Sequence, residues 1–399
     1  MDAFDRMWTE LAEIGRAPSG GYRRFAWTTA ELTCRDWFVD QASARGMNVE
    51  RDRNGNLWAW LGPAGDDAVV TGSHLDSVPD GGAFDGPLGI VSAFAALDSL
   101  AARGWAPTRP VAVVAFTDEE GARFGVPCIG SRLLTGVLDP NRASALRDAD
   151  SITLAQAMRS AGADPAWLGP DRPRLARIGA FVELHVEQGK HLAATSSAVA
   201  IGERIWPHGR WRLEFRGAAD HAGTTILTDR HDPMLAFAFS VLHIRQAAAH
   251  RGARATVGKV VVRPNGTNAI PSEVVAWLDA RAEDEATVRA LVRDVEGAAG
   301  RRGEHDGVTV EMTEESWSPD VAFSPDLSAR VAGLLDDAPV IATGAGHDAG
   351  ILAAAGVPSA MLFVRNPTGI SHAPNEFAET ADCHAGVRAL ATVLADLAT

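Results

Sequence analysis

Cysteine is scarce: Cys34, Cys128 and Cys383 are the three in 399 residues, and no two are close in sequence. That excludes a disulfide framework and disfavours a thiolate zinc knot, and a reducing cytoplasm is the natural setting. Basic runs are missing too. With 37 lysines and arginines against 51 acidic side chains, the net charge is -14. A nucleic-acid or anionic-membrane surface is not expected, although one locally basic pocket stays compatible with that balance. The opening "MDAFDRMWTE" is acidic and amphipathic, which is unlike a signal peptide, and no apolar run reaches membrane-spanning length. Repeats and low-complexity segments are absent as well.

What is present is ordinary soluble-protein composition, 46% apolar and 22% charged, in a chain long enough for two domains. Phe4, Met7, Trp8, Leu11 and Ile14 fall on one helical face, and Thr28 with Glu31 has capping-box spacing before a second helix. "MNVERDRNGNLWAWLG" predicts a hairpin turned at Asn54-Gly55. Strands and helices then alternate. "DDAVVTGS", "RPVAVVAF", "GAFVELHV" and "PSAMLFVR" are nearly unbroken apolar strands, which implies a sheet covered on both faces with parallel pairing. "AGADPAWLGPDRPR" reads as an irregular connection.

Residues 206–316 differ. Their order is β-α-β-β-α-β, the split βαβ unit of a ferredoxin-like sandwich, inserted into an α/β domain formed by 1–205 and 317–399.

Polar residues cluster where the apolar strands end. "AVVTGS" runs into His74 and Asp76, then Asp85 in "GGAFDG"; "VAVVAF" runs into Glu119 and Glu120; "FVEL" into His185; "MLFVRNPTGIS" into His372. Each alone is commonplace. Together they lie where an open α/β sheet gathers its ligands. Imidazole and carboxylate without thiolate suits a pair of Zn, Mn, Co or Ni ions, about 3.5–4 Å apart, with one carboxylate bridging. Such ions bring the pKa of water down to about 7. Asp76, two residues after His74, is placed to orient that imidazole. The Glu119–Glu120 pair offers one carboxylate for metal and one for proton transfer.

The motifs "GSHLDSVPDGGAFDGPLG", "TDEEGARFG", "ELHVEQG", "GAADHAGTT", "PNGTNAIP", "GAGHDAG" and "GISHAPNE" resemble, in order, those of M20-type metal-dependent amidohydrolases. The branch is that of N-carbamoyl-L-amino-acid hydrolases, β-ureidopropionases and allantoate amidohydrolases. The resemblance implies an α/β catalytic domain with an inserted ferredoxin-like lid that also pairs two subunits. It implies two divalent ions on His74, Asp85, Glu120, His185 and His372, with Asp85 bridging and Glu119 as general base and then acid. His221 would polarise the scissile carbonyl. Asn268 and Arg281 would hold a substrate carboxylate, with Gln188 and His347 as further polar contacts. The reaction implied is hydrolysis of a ureido or amide C–N bond in a small carboxylate. An N-formyl or N-acyl amino acid deacylase, a dipeptidase or aminopeptidase of the same fold, and a non-catalytic relative are the alternatives.

Three stretches depart from that pattern. "ILTDRHD" follows "HAGTT", "GERIWPHGRWR" is rich in cations, and Arg365 stands seven residues before His372. Arg365, His208 and Arg210 are therefore expected to favour a substrate with a second anionic or strongly polar arm.

Overall fold

Long apolar strands need cover on both faces, and the chain supplies it. The computed structural model describes residues 3–336 and 338–399. Contacts divide them into two units, one of residues up to Arg204 with Ala322–Thr399, the other Ile205–Val321.

The first unit is built on a nine-stranded mixed sheet among the described residues. At its centre, Val111–Phe116, Ala68–His74, Ile178–Val186 and Ser359–Val364 lie side by side and parallel. All but Gly179 in these strands are buried, and a fully buried Val, Leu, Ile or Phe stabilises by about 1.5–3 kcal/mol. Parallel pairing puts all four carboxyl ends on one edge of the sheet, and His74 pairs in register with Phe116, His185 with Phe363. The helices Pro87–Ala102 and Thr380–Leu397 pack against these strands and each other, with Leu88, Ile90, Leu390 and Leu394 in the core. Pro87 opens its helix at the position where a missing N–H costs nothing.

Two local expectations change. Asn48–Arg51 and Leu57–Leu61 form the hairpin, but through a longer loop in which the Asp52 carboxylate accepts the N–H groups of Asn54 and Asn56. Thr28 is the N-cap without a side-chain cap; the Glu31 carboxylate accepts the Trp27 N–H and pairs with Arg35 instead. A buried guanidinium needs a buried partner, and that requirement outweighs a capping box. The connection 161–174 is irregular as expected, apart from a single 3-10 turn at Pro165–Trp167 and the start of the short helix Arg172–Ala176.

The second unit has a four-stranded antiparallel sheet. From one edge to the other it runs Thr309–Ser318, His208–Arg216, Glu273–Arg281, Arg254–Arg263. Counted along the chain that order is fourth, first, third, second, with helices Pro233–His250 and Glu285–Asp306 between strands, the arrangement of a ferredoxin-like fold. Trp211, Leu213, Phe215, Val274 and Leu278 pack on Ile244, Leu291 and Val295 of the helices. Alternate strand residues face away from that core and are mostly charged. Among the described residues no helix is long and apolar enough to cross a membrane.

Candidate metal centre

The loop after Ala68–His74 must bring Asp85 back over His74, and glycine makes that possible. Gly86 has φ +85°, and a Cβ there would lie 2.5 Å from the His74 ring. Asp85 then sits between three imidazoles. Its Oδ1 is 3.4 Å from His74 Nε2 and 3.2 Å from His185 Nε2; its Oδ2 is 3.4 Å from His372 Nε2. His372 Nε2 is also 3.6 Å from Glu120 Oε2. One carboxylate thus faces two sets of ligand-type groups, His74 with His185 and Glu120 with His372.

The tautomers show what these groups await. Nδ1 of His74 lies 3.1 Å from the Asp76 carbonyl oxygen, and Nδ1 of His185 lies 2.9 Å from that of Val186. A carbonyl only accepts, so each Nδ1 carries the hydrogen and each Nε2 turns to Asp85. Both Nε2 atoms are buried and make no hydrogen bond. With the hydrogen on Nδ1, each Nε2 can face Asp85 only across a positive charge. That charge is either a second ring proton, which burial opposes but the carboxylates beside both rings favour, or a metal ion. The N···O separations suit one, since two ligands at about 2.0–2.1 Å in tetrahedral geometry stand roughly 3.3 Å apart.

Charge makes the same demand. Asp76, Asp85, Asp118, Glu119, Glu183, Asp348 and Glu376 are all buried around these histidines. Burial, then Asp348, Glu120 and Asp76, push Glu119 well above the usual carboxylate range against the pull of His74. Burial and Asp85 raise Glu120 to about 7. Burial opposes the charge on Asp85 as well, yet His185, His372 and His74 hold it well below its ordinary value. Burial disfavours charge on His372 too, but Asp85 and Glu120 lift it to about 9. Arg123 offsets only Asp118 in this group, and so many buried carboxylates are stable only with further positive charge in their midst.

Neighbouring side chains hold this arrangement in place. Asp76 does more than the sequence suggests. Its Oδ1 is 3.5 Å from His74 Nδ1, but its two oxygens accept the N–H groups of Glu119 and Glu120, both at 3.1 Å, and so fix the turn that carries that pair. Glu119 Oε2 lies 3.8 Å from His74 Nε2, and Cys128 Sγ approaches Oε1 at 3.4 Å. Gln188 Nε2 donates to Asp85 Oδ2 at 2.7 Å, and the His347 ring packs against that of His185, tilted by 59° with centroids 4.5 Å apart.

In the second unit, the strand pair Asp220–His221 with Ala269–Ile270 draws the "DHAGTT" and "PNGTNAIP" segments together, and the Asn268 carbonyl accepts the Ala222 N–H. His221 Nδ1 accepts the Gly223 N–H at 3.0 Å, which leaves the hydrogen on Nε2. Arg230 donates to the Ala222 and Thr225 carbonyls and clamps that loop. Arg281 is bound to Asp279 through two hydrogen bonds, Arg210 Nε stands 3.5 Å from the same carboxylate, and His208 Nδ1 is 2.9 Å from the Trp206 carbonyl.

Arg365 is a correction. Its Nε and Nη2 bind both oxygens of Asp382 at 2.8 and 2.9 Å, and Nη1 reaches the Thr195 carbonyl. These partners tie the end of strand Ser359–Val364 to helix Thr380–Leu397 and to the Thr195 carbonyl, and none of the groups around Asp85 is among them, so Arg365 acts as a structural tie.

Three carboxylates escaped the sequence reading. Glu376 Oε1 accepts the N–H groups of Phe84 and Asp85, both at 2.8 Å, and so holds the Asp85 loop. Glu183 accepts from Ser73 and from the Ala349 N–H, which fastens the "GHDAG" segment behind His185. Asp348 takes the Ser131 hydroxyl. The signal for Glu183 was present: a carboxylate inside an otherwise apolar strand, two residues before a ligand-type histidine.

Comparison with known proteins agrees in architecture and family. The N-carbamoyl-L-amino acid amidohydrolase of Geobacillus stearothermophilus is 37% identical over 402 residues, covering 97% of this chain and 96% of that one. The allantoate amidohydrolase of Escherichia coli (strain K12) is 32% identical over 400 residues, with 97% and 96% covered. The crystal structure of AtUAH in complex with glyoxylate superposes with a TM-score of 0.91 at 28% identity, over 100% of this chain and 98% of that one. Residues 70–396 match the peptidase family M20/M25/M40, and the chain belongs to that family.

Proposed function

We propose that this protein is a metal-dependent amidohydrolase that cleaves the linear C–N bond of a ureido or N-carbamoyl compound bearing a carboxylate. The observation that carries the reading is Asp85, whose two oxygens face the His74–His185 and Glu120–His372 sets. Zn, Mn, Co or Ni in those two sets would lower the pKa of water to about 7 and offset charge growing on the carbonyl oxygen. Glu119 takes the proton from the attacking water and returns it to the departing nitrogen. His221 presents its Nε2–H to the carbonyl oxygen as a neutral donor, the tautomer set by Gly223. Asn268 and Arg281 hold the substrate carboxylate, and Gln188 and His347 line the reacting end. For a carbamoyl group the products are the amine, carbon dioxide and ammonia. The relatives named for N-carbamoyl amino acids and for allantoate support this class of substrate. Three buried free cysteines fit a reducing, cytoplasmic setting.

The test is turnover by metal-stripped protein reconstituted with each of the four metals. Allantoate, N-carbamoyl and N-formyl amino acids and dipeptides make up the panel. Metal-dependent release of ammonia with the amine is the expected result. Cleavage confined to dipeptides, or to N-acyl compounds without ammonia, would overturn the ureido assignment.

The second unit serves as lid and as the contact between two copies. Its edge strand Arg254–Arg263 has one side unpaired among the described residues, and next to it Leu235, Phe239 and Leu242 expose 52%, 38% and 66% of their surface on one helix face. An open strand edge beside an apolar stripe suits a two-fold pairing of strand with strand and helix with helix. The double variant Leu235→Glu, Leu242→Glu is expected to sediment as a monomer where the parent sediments as a dimer. An unchanged sedimentation coefficient would remove this face from the assembly.

A further inference from the structure

One end of the second unit's sheet gathers guanidinium groups on its open face. Across the strands Arg281 is directly opposite Arg254 on one side and His208 on the other, and Arg210 is opposite Asp279. Directly paired residues share a face, and the other face here is the packed one, with Trp211, Leu278 and Ala280 in the core. Asp279 is engaged by Arg281 and neighboured by Arg210. Arg254 is exposed, rests 4.5 Å over the Trp206 ring, and has no carboxylate at ion-pair distance among the described residues. Like charges directly opposite across a ladder are destabilising. Holding Arg254 against Arg281, steadied by an aromatic ring, is therefore a cost that a bound anion would remove.

We propose that Arg254 is a specificity residue and that the substrate is a dianion, an N-carbamoyl derivative of an acidic amino acid. The α-carboxylate goes to Arg281, as in the function proposed above, on which this inference rests; Arg281 gives up Asp279 to receive it and leaves Asp279 to Arg210. The side-chain carboxylate goes to Arg254. Directly opposed Cβ atoms lie about 4.5–5.5 Å apart, so two long side chains rising from them on one face can each reach one carboxylate of a short dianion. Arg210, beside Asp279, adds positive charge to the same end without contacting the α-carboxylate. Arg365, bound to Asp382, takes no part.

Binding is the cleanest measure, because N-carbamoyl-L-glutamate and N-carbamoyl-L-glutamine differ only in the charge of the second arm. Both are titrated calorimetrically into metal-loaded protein carrying Glu119→Gln, which prevents turnover. The glutamate compound is expected to bind about tenfold tighter or more, as one charge-assisted contact allows. Adding Arg254→Gln should abolish that preference while leaving the glutamine compound within about twofold, and Arg254→Lys should restore part of it. Equal affinities in the parent, no binding of either compound, or a preference that survives Arg254→Gln would each overturn the inference. Turnover by the unmodified protein separates this from the parent reading. Hydrolysis of both compounds without a glutamate preference refutes the dianion site alone. Hydrolysis of neither, with the binding preference intact, refutes the reaction and keeps the site.

Discussion

Glu119→Gln is expected to lower kcat by about 10²–10⁴-fold, the usual contribution of a general acid–base group. That corresponds to roughly 3–5 kcal/mol of transition-state stabilisation. Glutamine has the shape of glutamate, so the buried pocket beside Cys128 and His74 stays filled. What it lacks is a basic oxygen to accept the proton of water. The neighbouring position separates this role from metal binding, because Glu120 Oε2 faces His372 and Glu119 does not. Glu119→Gln should therefore retain the metal content of the parent, measured by elemental analysis, and Glu120→Gln should lose part of it. KM should change little in Glu119→Gln, since nothing that holds the substrate carboxylate has been altered. A Glu119→Gln protein with kcat within tenfold of the parent would place the proton transfer on another group.

The strand ends were legible because each is an apolar run broken abruptly by a ligand-type residue, and four parallel strands leave such residues no choice but one edge of the sheet. His74, His185 and Glu119–Glu120 follow directly from that rule. Asp85 and His372 needed the glycine-containing loops as well, and the closeness of Gly86 to the ring of His74 is visible only in three dimensions. Glu376 and Asp348 were not legible, since their partners Asp85 and Ser131 are 291 and 217 residues away. Arg365 shows the reverse error. Its proximity to His372 in sequence suggested a role at the site, while Asp382, on the following helix, takes its Nε and Nη2 and the Thr195 carbonyl its Nη1. Electrostatic partners are chosen by packing, and packing does not follow sequence distance. The second unit's β-α-β-β-α-β succession along the chain was readable from its strand and helix patterns, while the order of the strands in the sheet came from the structure. Which of its charged residues oppose each other was not readable either, because that depends on register.

Asp85→Ala should have the largest effect on metal. Among the described residues no other carboxylate lies in both sets of ligand-type groups. If it joins two ions, its loss should remove both together, because neither remaining set keeps more than two of its original groups. His74 and His185 would be left facing each other with ring centroids 5.9 Å apart, and Glu120 with His372 would form an open pair. Metal content measured by elemental analysis is therefore expected to fall from about two ions per chain to a small fraction of one. Activity should fall with it to the uncatalysed background. A thermal readout makes the test independent of turnover. Anything that binds only the folded chain stabilises it, by about 2.7 kcal/mol at a hundredfold excess over Kd. The parent should therefore melt higher when metal is restored to the stripped protein, and Asp85→Ala should show no such rise. Gln188, which donates to Asp85 Oδ2, supplies the comparison. Gln188→Ala leaves every ligand-type carboxylate and imidazole in place and should keep both the metal and the thermal response. Loss of one ion with firm retention of the other in Asp85→Ala would mean that the two sets are independent, and Asp85 a ligand to one of them.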